Sequence, residues 1–155
     1  MSRTVGRVFA AGCAAAALGC SSSSSNAGGT SDAFISASVN GVTFTATTGL
    51  QAHYGFNALV FSGFDANQTQ EILFTVTGVT GTGTYPLGGT SVAEYTTGGL
   101  PQWSSGSSGG SGTITINSLT ATGAQGTFSF VGGAVGGTGA TGSKTVSSGT
   151  FNVTF

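Results

Sequence analysis

Charge is what this sequence has least of: three Lys or Arg and four Asp or Glu in 155 residues. Arg3 and Arg7 stand close to the N-terminus, which leaves Lys144 as the single basic side chain of the remainder. Nucleic-acid binding needs clustered Lys and Arg to displace phosphate counterions, so nucleic acid is excluded as a partner. There is one histidine, His53. General acid–base catalysis draws most often on histidine, so the inventory for turnover is thin. Both cysteines, Cys13 and Cys20, lie near the N-terminus, and everything beyond them lacks a disulfide, a cysteine nucleophile or a thiolate metal site. The longest apolar stretch, Val8–Leu18, has eleven residues, well short of the about 20 that a spanning helix requires. Helix-forming Ala, Leu and Glu are sparse after it, and no window supports an amphipathic helix.

That short apolar stretch has a different reading. Arg3 and Arg7 form a positive n-region, Val8–Leu18 an apolar core, and Ala17-Leu18-Gly19 a small-residue end, the three parts of an export signal. Ala17-Leu18-Gly19-Cys20 resembles the bacterial lipobox, which implies acylation of Cys20 after cleavage at Gly19. Cleavage at Cys13 would leave too short an apolar core. Ser21–Ser25 and the Gly/Ser-containing residues to Asp32 then form a polar tether. The expected organisation is a signal over residues 1–19, an acylated Cys20 and tether over 20–32, and a folded domain over 33–155. Four acids (Asp32, Asp65, Glu71, Glu94) against Lys144 give the processed chain a side-chain charge of about −3. The expected address is the cell envelope, with a lipid anchor in the outer membrane, since Ser21 follows the cysteine where the sorting rule disfavours Asp.

What the chain does have is glycine, hydroxyl residues and phenylalanine: 29 Gly and 11 Phe. Ile35, Ala37 and Val39 alternate with polar residues, Asn40-Gly41 intervenes, and Val42, Phe44 and Ala46 alternate again. Asn-Gly tolerates positive φ at both positions, so it predicts a two-residue hairpin turn pairing Val39 with Val42. Further strands are expected at 58–64, 71–79, 84–87, 91–96, 112–119, 126–131, 144–146 and 150–155, with flexible loops at 98–99, 104–111 and 132–142. The fold class is all-β: a single antiparallel β-sandwich, or a barrel-like variant of it, of about eight to ten strands.

An ordered series of these segments resembles a known family. Val39-Asn40-Gly41 with Phe44-Thr45-Ala46 is followed by Gly83-Thr84-Tyr85-Pro86-Leu87 and by Gly112-Thr113-Ile114-Thr115-Ile116 with Leu119. Gly126-Thr127-Phe128-Ser129-Phe130 and Gly149-Thr150-Phe151-Asn152-Val153 complete it. The series is similar to small secreted bacterial lipoproteins whose β-rich domain has no assigned function. Phe44 stands where that family more often has Trp. The resemblance implies a β-sandwich-like lipoprotein and supplies no catalytic residues.

Several motifs match a chemistry without its context. Gly137-Thr138-Gly139-Ala140-Thr141-Gly142 spells the dinucleotide fingerprint, but the helix that would carry pyrophosphate is missing, so no nucleotide is expected. Gly106-Ser107-Ser108-Gly109-Gly110 spells the nucleophile elbow, but no histidine follows it. His53, Asp65 and Glu71 include metal-ligand types, yet no spacing brings them together, so no metal and no other cofactor is expected. A glycosidase-like carboxylate pair would have to come from Asp32, Asp65, Glu71 and Glu94, and sequence does not give their separation. The strand ending at Phe155 resembles the end of an outer-membrane barrel, but most strands are too short for one. Trp103, Tyr54 and Tyr95 are the candidate ligand contacts. Trp103, after Pro101 and before a Ser/Gly loop, either stacks on a sugar or partner or caps one end of the core.

The leading expectation is a non-enzymatic envelope lipoprotein with a structural or interaction role. A surface glycan- or protein-binding module is the second reading, and a carboxylate-based hydrolase the third.

Overall fold

The structure, a computed structural model, describes residues 32–155. The signal, Cys20 and the tether up to residue 31 lie outside the described residues. Within them the protein is all-β, with eleven antiparallel strands and no helix.

The hairpin forms as the pattern predicts. β1 (Phe34–Val39) and β2 (Val42–Ala46) pair Val39 with Val42 and Ala37 with Phe44. Asn40 and Gly41 take φ of 48° and 84°, the left-handed values that a two-residue turn demands. Asn40 also ties the turn to the last strand, its Oδ1 accepting the Thr145 amide at 2.8 Å. Ile35, Ala37, Phe44 and Ala46 face the core while Val42, at the lip, stays exposed.

Next come β3 (Thr48–Gly55), β4 (Ala58–Phe64), β5 (Gln70–Thr77), β6 (Gly83–Leu87), β7 (Val92–Thr97) and β8 (Gln102–Ser104). The chain ends with β9 (Ser111–Leu119), β10 (Gly123–Ala134) and β11 (Ser143–Thr154). The main path runs β2-β1-β11-β10-β8-β7-β5-β4-β3, with β9 pairing β10 and β6 pairing β9. Its two outermost strands, β2 and β3, are consecutive in sequence, separated only by Thr47. A sheet whose edges are joined by one residue must curl until they meet, and the result is a single sheet nearly closed into a barrel. Across the seam, Gly63 of β4 sits against Ala46 and Ile35 so closely that a Cβ there would come within 2.8 and 3.1 Å of them, and Leu50 of the neighbouring β3 would be 2.7 Å away.

Three differences from the sequence reading have physical causes. β3 was unexpected because its inward residues, Leu50, Ala52 and Tyr54, are only partly buried and are interspersed with Gly and Gln. β8 has three residues, too few for a periodicity. The strands expected at 144–146 and 150–155 are one, since Ser147-Ser148-Gly149 stay in the ladder as a bulge, with Ser148 at φ 51°.

The lumen is filled by aromatic rings from opposite walls. Phe61 and Phe74 stack at 4.7 Å, Phe61 stacks on Phe151 at 4.7 Å, and Phe74 meets Phe128 edge-on at 4.7 Å. Offset and edge-to-face geometries suit the ring quadrupole. Outward positions of β1, β2, β9, β10 and β11 carry mainly Ser and Thr. Apolar inside and hydroxyl outside is the reverse of a lipid-embedded barrel.

Candidate functional site

Turns at one end of the barrel converge on an open depression. Asn40 comes from the β1–β2 turn, Thr69 and Gln70 from the start of β5, Tyr95 and Thr97 from β7, and Lys144 from the start of β11. The depression encloses about 410 Å³. The β4–β5 turn beneath it is built by Asp65, whose Oδ1 accepts the amides of Thr69 (2.6 Å) and Gln70 (2.8 Å). Its Oδ2 accepts the Thr69 hydroxyl at 3.0 Å. Desolvation pushes the Asp65 carboxyl up, but these donors outweigh it and hold the group below its ordinary value.

A continuous series of contacts crosses this end from the sole lysine to Asp65. Lys144 Nζ lies 4.7 Å from the centroid of the Trp103 ring, a cation–π arrangement. Trp103 lies 5.9 Å from Tyr95, and the Tyr95 hydroxyl donates to Gln70 Oε1 at 2.8 Å. Burial, then the nearby Asp65 charge, raises the Tyr95 phenol above its ordinary value, so it is a neutral donor at physiological pH. Chemically the depression offers one cation, the amides of Asn40 and Gln70, hydroxyls of Thr69 and Thr97, the apolar side chains of Val39 and Val42, and the edge of one aromatic ring. Such a set hydrogen-bonds a neutral polar ligand or a single anionic group.

The structure separates the three candidate contact residues. Trp103 is 6% exposed and its Nε1 donates to the Thr141 carbonyl at 3.2 Å, so of its two readings the burial one holds. It touches the depression's lining through Lys144 and Tyr95. Gly132 makes room for it, since a Cβ there would lie 2.9 Å from the Trp103 Cβ. Tyr95 lines the depression. Tyr54 sits at the opposite end, its hydroxyl on the Val79 carbonyl at 3.0 Å and its ring 5.9 Å from Phe155. Lys144 and Gln70 were not singled out from sequence. The available signal was that Lys144 is the only basic residue after Arg7.

Of the titratable residues that could serve catalysis, Glu71 and Glu94 are diagonal neighbours on the outer face of paired strands, while His53 lies two strands away. His53 is exposed on β3, beside Ser62 in a shallow depression of about 190 Å³ on the barrel exterior. Glu71, opposite Thr96, and Glu94, opposite Leu73, occupy the outward positions of β5 and β7. Among the described residues no three His, Cys, Asp or Glu side chains group as a metal site would require. The elbow-like Gly106–Gly110 segment is a tight turn, with the Gly110 amide on the Ser107 carbonyl at 2.8 Å, leading into β9. The fingerprint-like residues 137–142 form the β10–β11 loop, with Gly137, Gly139 and Gly142 at positive φ.

A second surface emerges only from the strand register. Thr84 of β6 pairs Thr115, Thr115 pairs Thr127, Thr127 pairs Thr150, Thr150 pairs Ser36, and Ser36 pairs Thr45. Six hydroxyl residues thus form one rank across six strands, at the strand spacing of about 4.8 Å. Thr84 and Thr115 are hydrogen-bonded at 2.9 Å. Cross-strand Thr pairs of this kind stabilise a sheet in their own right.

No curated protein and no solved structure matches the chain. A family model described as a domain of unknown function (DUF6252) matches residues 31–154, and the chain belongs to that family.

Proposed function

We propose that this protein is a lipid-anchored bacterial envelope lipoprotein whose barrel has a non-enzymatic structural or interaction role. The observation that carries the anchoring is Ala17-Leu18-Gly19-Cys20 at the end of a short apolar core, followed by a serine tether. The non-enzymatic part is supported by how the few ionisable groups are used. Asp65 is consumed by its own turn, Lys144 lies over an indole, and the one histidine, His53 on β3, is two strands away from the outward diagonal pair Glu71 and Glu94. The ligand class favoured by the open depression is a neutral glycan or a peptide segment. The depression combines amide, hydroxyl and ammonium groups with the side chains of Val39 and Val42 and the edge of Tyr95, the composition of a weak surface-binding site.

The anchoring is tested by labelling with a fatty-acid analogue in a bacterial host. Cys20→Ser is expected to abolish the label and Cys13→Ser to retain it. Labelled, membrane-bound Cys20→Ser protein would refute the assignment. The binding role is tested on a glycan array, with Lys144→Ala and Gln70→Ala expected to lose any signal that the parent gives.

A further inference from the structure

One side chain of this barrel stands wholly outside it. Phe56, at the tip of the β3–β4 hairpin, has a relative exposure of 106%. The turn is of the two-residue kind, with Phe56 at φ 52° and Asn57 at φ 58°. The β1–β2 hairpin solves the same geometry with Asn40 and Gly41, residues that accept positive φ readily. A bulky aromatic at such a φ is strained. At position 56 the chain therefore keeps a residue that is unfavourable for the turn and adds nothing to the core.

The position of the tip points to what it meets. Tyr54, two residues before it, lies ring to ring with Phe155 at 5.9 Å. The Phe155 amide donates to Thr122 in the β9–β10 turn at 3.1 Å, and Asn152 Nδ2 donates to the Asp32 carbonyl at 3.3 Å. The hairpin tip thus emerges at the same end as Asp32, where the chain leads back to residues 1–31 and Cys20. The turn and its neighbours, Gly55, Phe56, Asn57 and Ala58 with Gly78 and Val79, carry no ionised side chain; Asp32 is the acid at this end, and Asp65 and Lys144 sit at the far end. Tyr54, with an apolar ring and a bonded hydroxyl, is of the type enriched at membrane–water boundaries.

We infer that Phe56 is a membrane-contact residue that inserts into the surface of the bilayer to which the chain is anchored. The inference rests on the lipid-anchor reading. A single phenyl group cannot hold a domain on a bilayer, but beside a lipid anchor it acts at high effective concentration and sets orientation. With the tip down, the depression lined by Tyr95 and Lys144 faces away from the membrane.

The test uses the full chain, purified with its fatty acid and reconstituted in phosphatidylcholine vesicles with or without brominated acyl chains. In Phe56→Trp the introduced indole is expected to lose most of its emission in brominated vesicles. The parent protein, whose Trp103 is buried at the other end, is expected to lose none. Co-flotation of the same samples separates the two failures. A Phe56→Trp protein that floats with its vesicles but keeps the full emission of the introduced indole overturns the inference and leaves the anchor standing, the outcome expected if the tip meets another protein. Protein that carries no fatty acid and does not float overturns the anchor and the inference together. Phe56→Asn is expected to keep or raise Tm, and a lowered Tm would give Phe56 a structural role and overturn the inference.

Discussion

Phe74 shows how single residues hold this barrel together with so few charges. Its ring lies 4.7 Å from both Phe61 and Phe128 and 6.0 Å from Phe130, so it meets rings from two other strands, β4 and β10. Phe74→Ala is expected to cost roughly 3–5 kcal/mol, because neighbouring rings cannot all collapse into the space it leaves. The check is a urea titration, and a loss below about 1 kcal/mol would remove Phe74 from the centre of the core. Asp65 makes a contrasting, pH-dependent contribution. Its folded-state acidity is shifted down from the ordinary value of 3.8, so the stability it supplies is present above that pH and lost as pH falls through the lower folded value. Asp65→Asn is expected to be less stable than the parent at neutral pH and to lose less on acidification. Thermal melts from neutral to strongly acidic pH would show it, and parallel curves for both proteins would contradict it. Phe44, Phe128, Phe130 and Phe151 were legible as core from their alternation with Thr, Ser or Asn, whereas Phe61 and Phe74 sit in runs with Val60 and Leu73 beside them. The Asp65 turn was not, because the loop between β4 and β5 has no fixed sequence signature.

At the scale of elements the decisive features are the β1–β2 hairpin and the seam it leads to. The hairpin was readable residue by residue, because local turn chemistry and a two-residue period agree and a slip of one residue would turn its apolar face outward. The seam was not, since it depends on β4 meeting Ala46 and Ile35 after the sheet has curled. Gly63→Val should force these neighbours apart and destabilise the protein by about 1–3 kcal/mol. Gly136→Ala, where an added Cβ meets nothing within 4 Å, is the control and should stay within about 0.5 kcal/mol of the parent. Equal midpoints for both variants in denaturant would dismiss the seam as a point of close packing. β3 and β8 escaped the sequence reading for a different reason. β3 is an end strand only partly buried against its hairpin partner β4, and β8 is too short to show a period, so neither carries a strong alternation of its own.

For the whole molecule, the arrangement predicts recognition without turnover. His53 lies two strands away from the outward pair Glu71 and Glu94, and each nucleophilic hydroxyl would need a base within hydrogen-bond reach. The purified full chain is expected to be inert toward panels of esters, peptides and glycosides. Activity that vanishes in His53→Ala, Asp65→Ala or Glu94→Ala would reverse the non-enzymatic reading. The sequence alone determined the all-β class, the first hairpin and the apolar and polar faces of most strands, because these follow from backbone propensity, turn chemistry and a period of two. It also carries the whole case for export and lipidation, which rests on a linear motif. Only the tertiary structure decided the near-closure of the barrel, the burial of Trp103 under Lys144, the six-strand rank of hydroxyls, and the gathering of Tyr95, Gln70 and Lys144 at one end. Each of these depends on which strand lies beside which, and that pairing is set by packing between residues far apart in the chain.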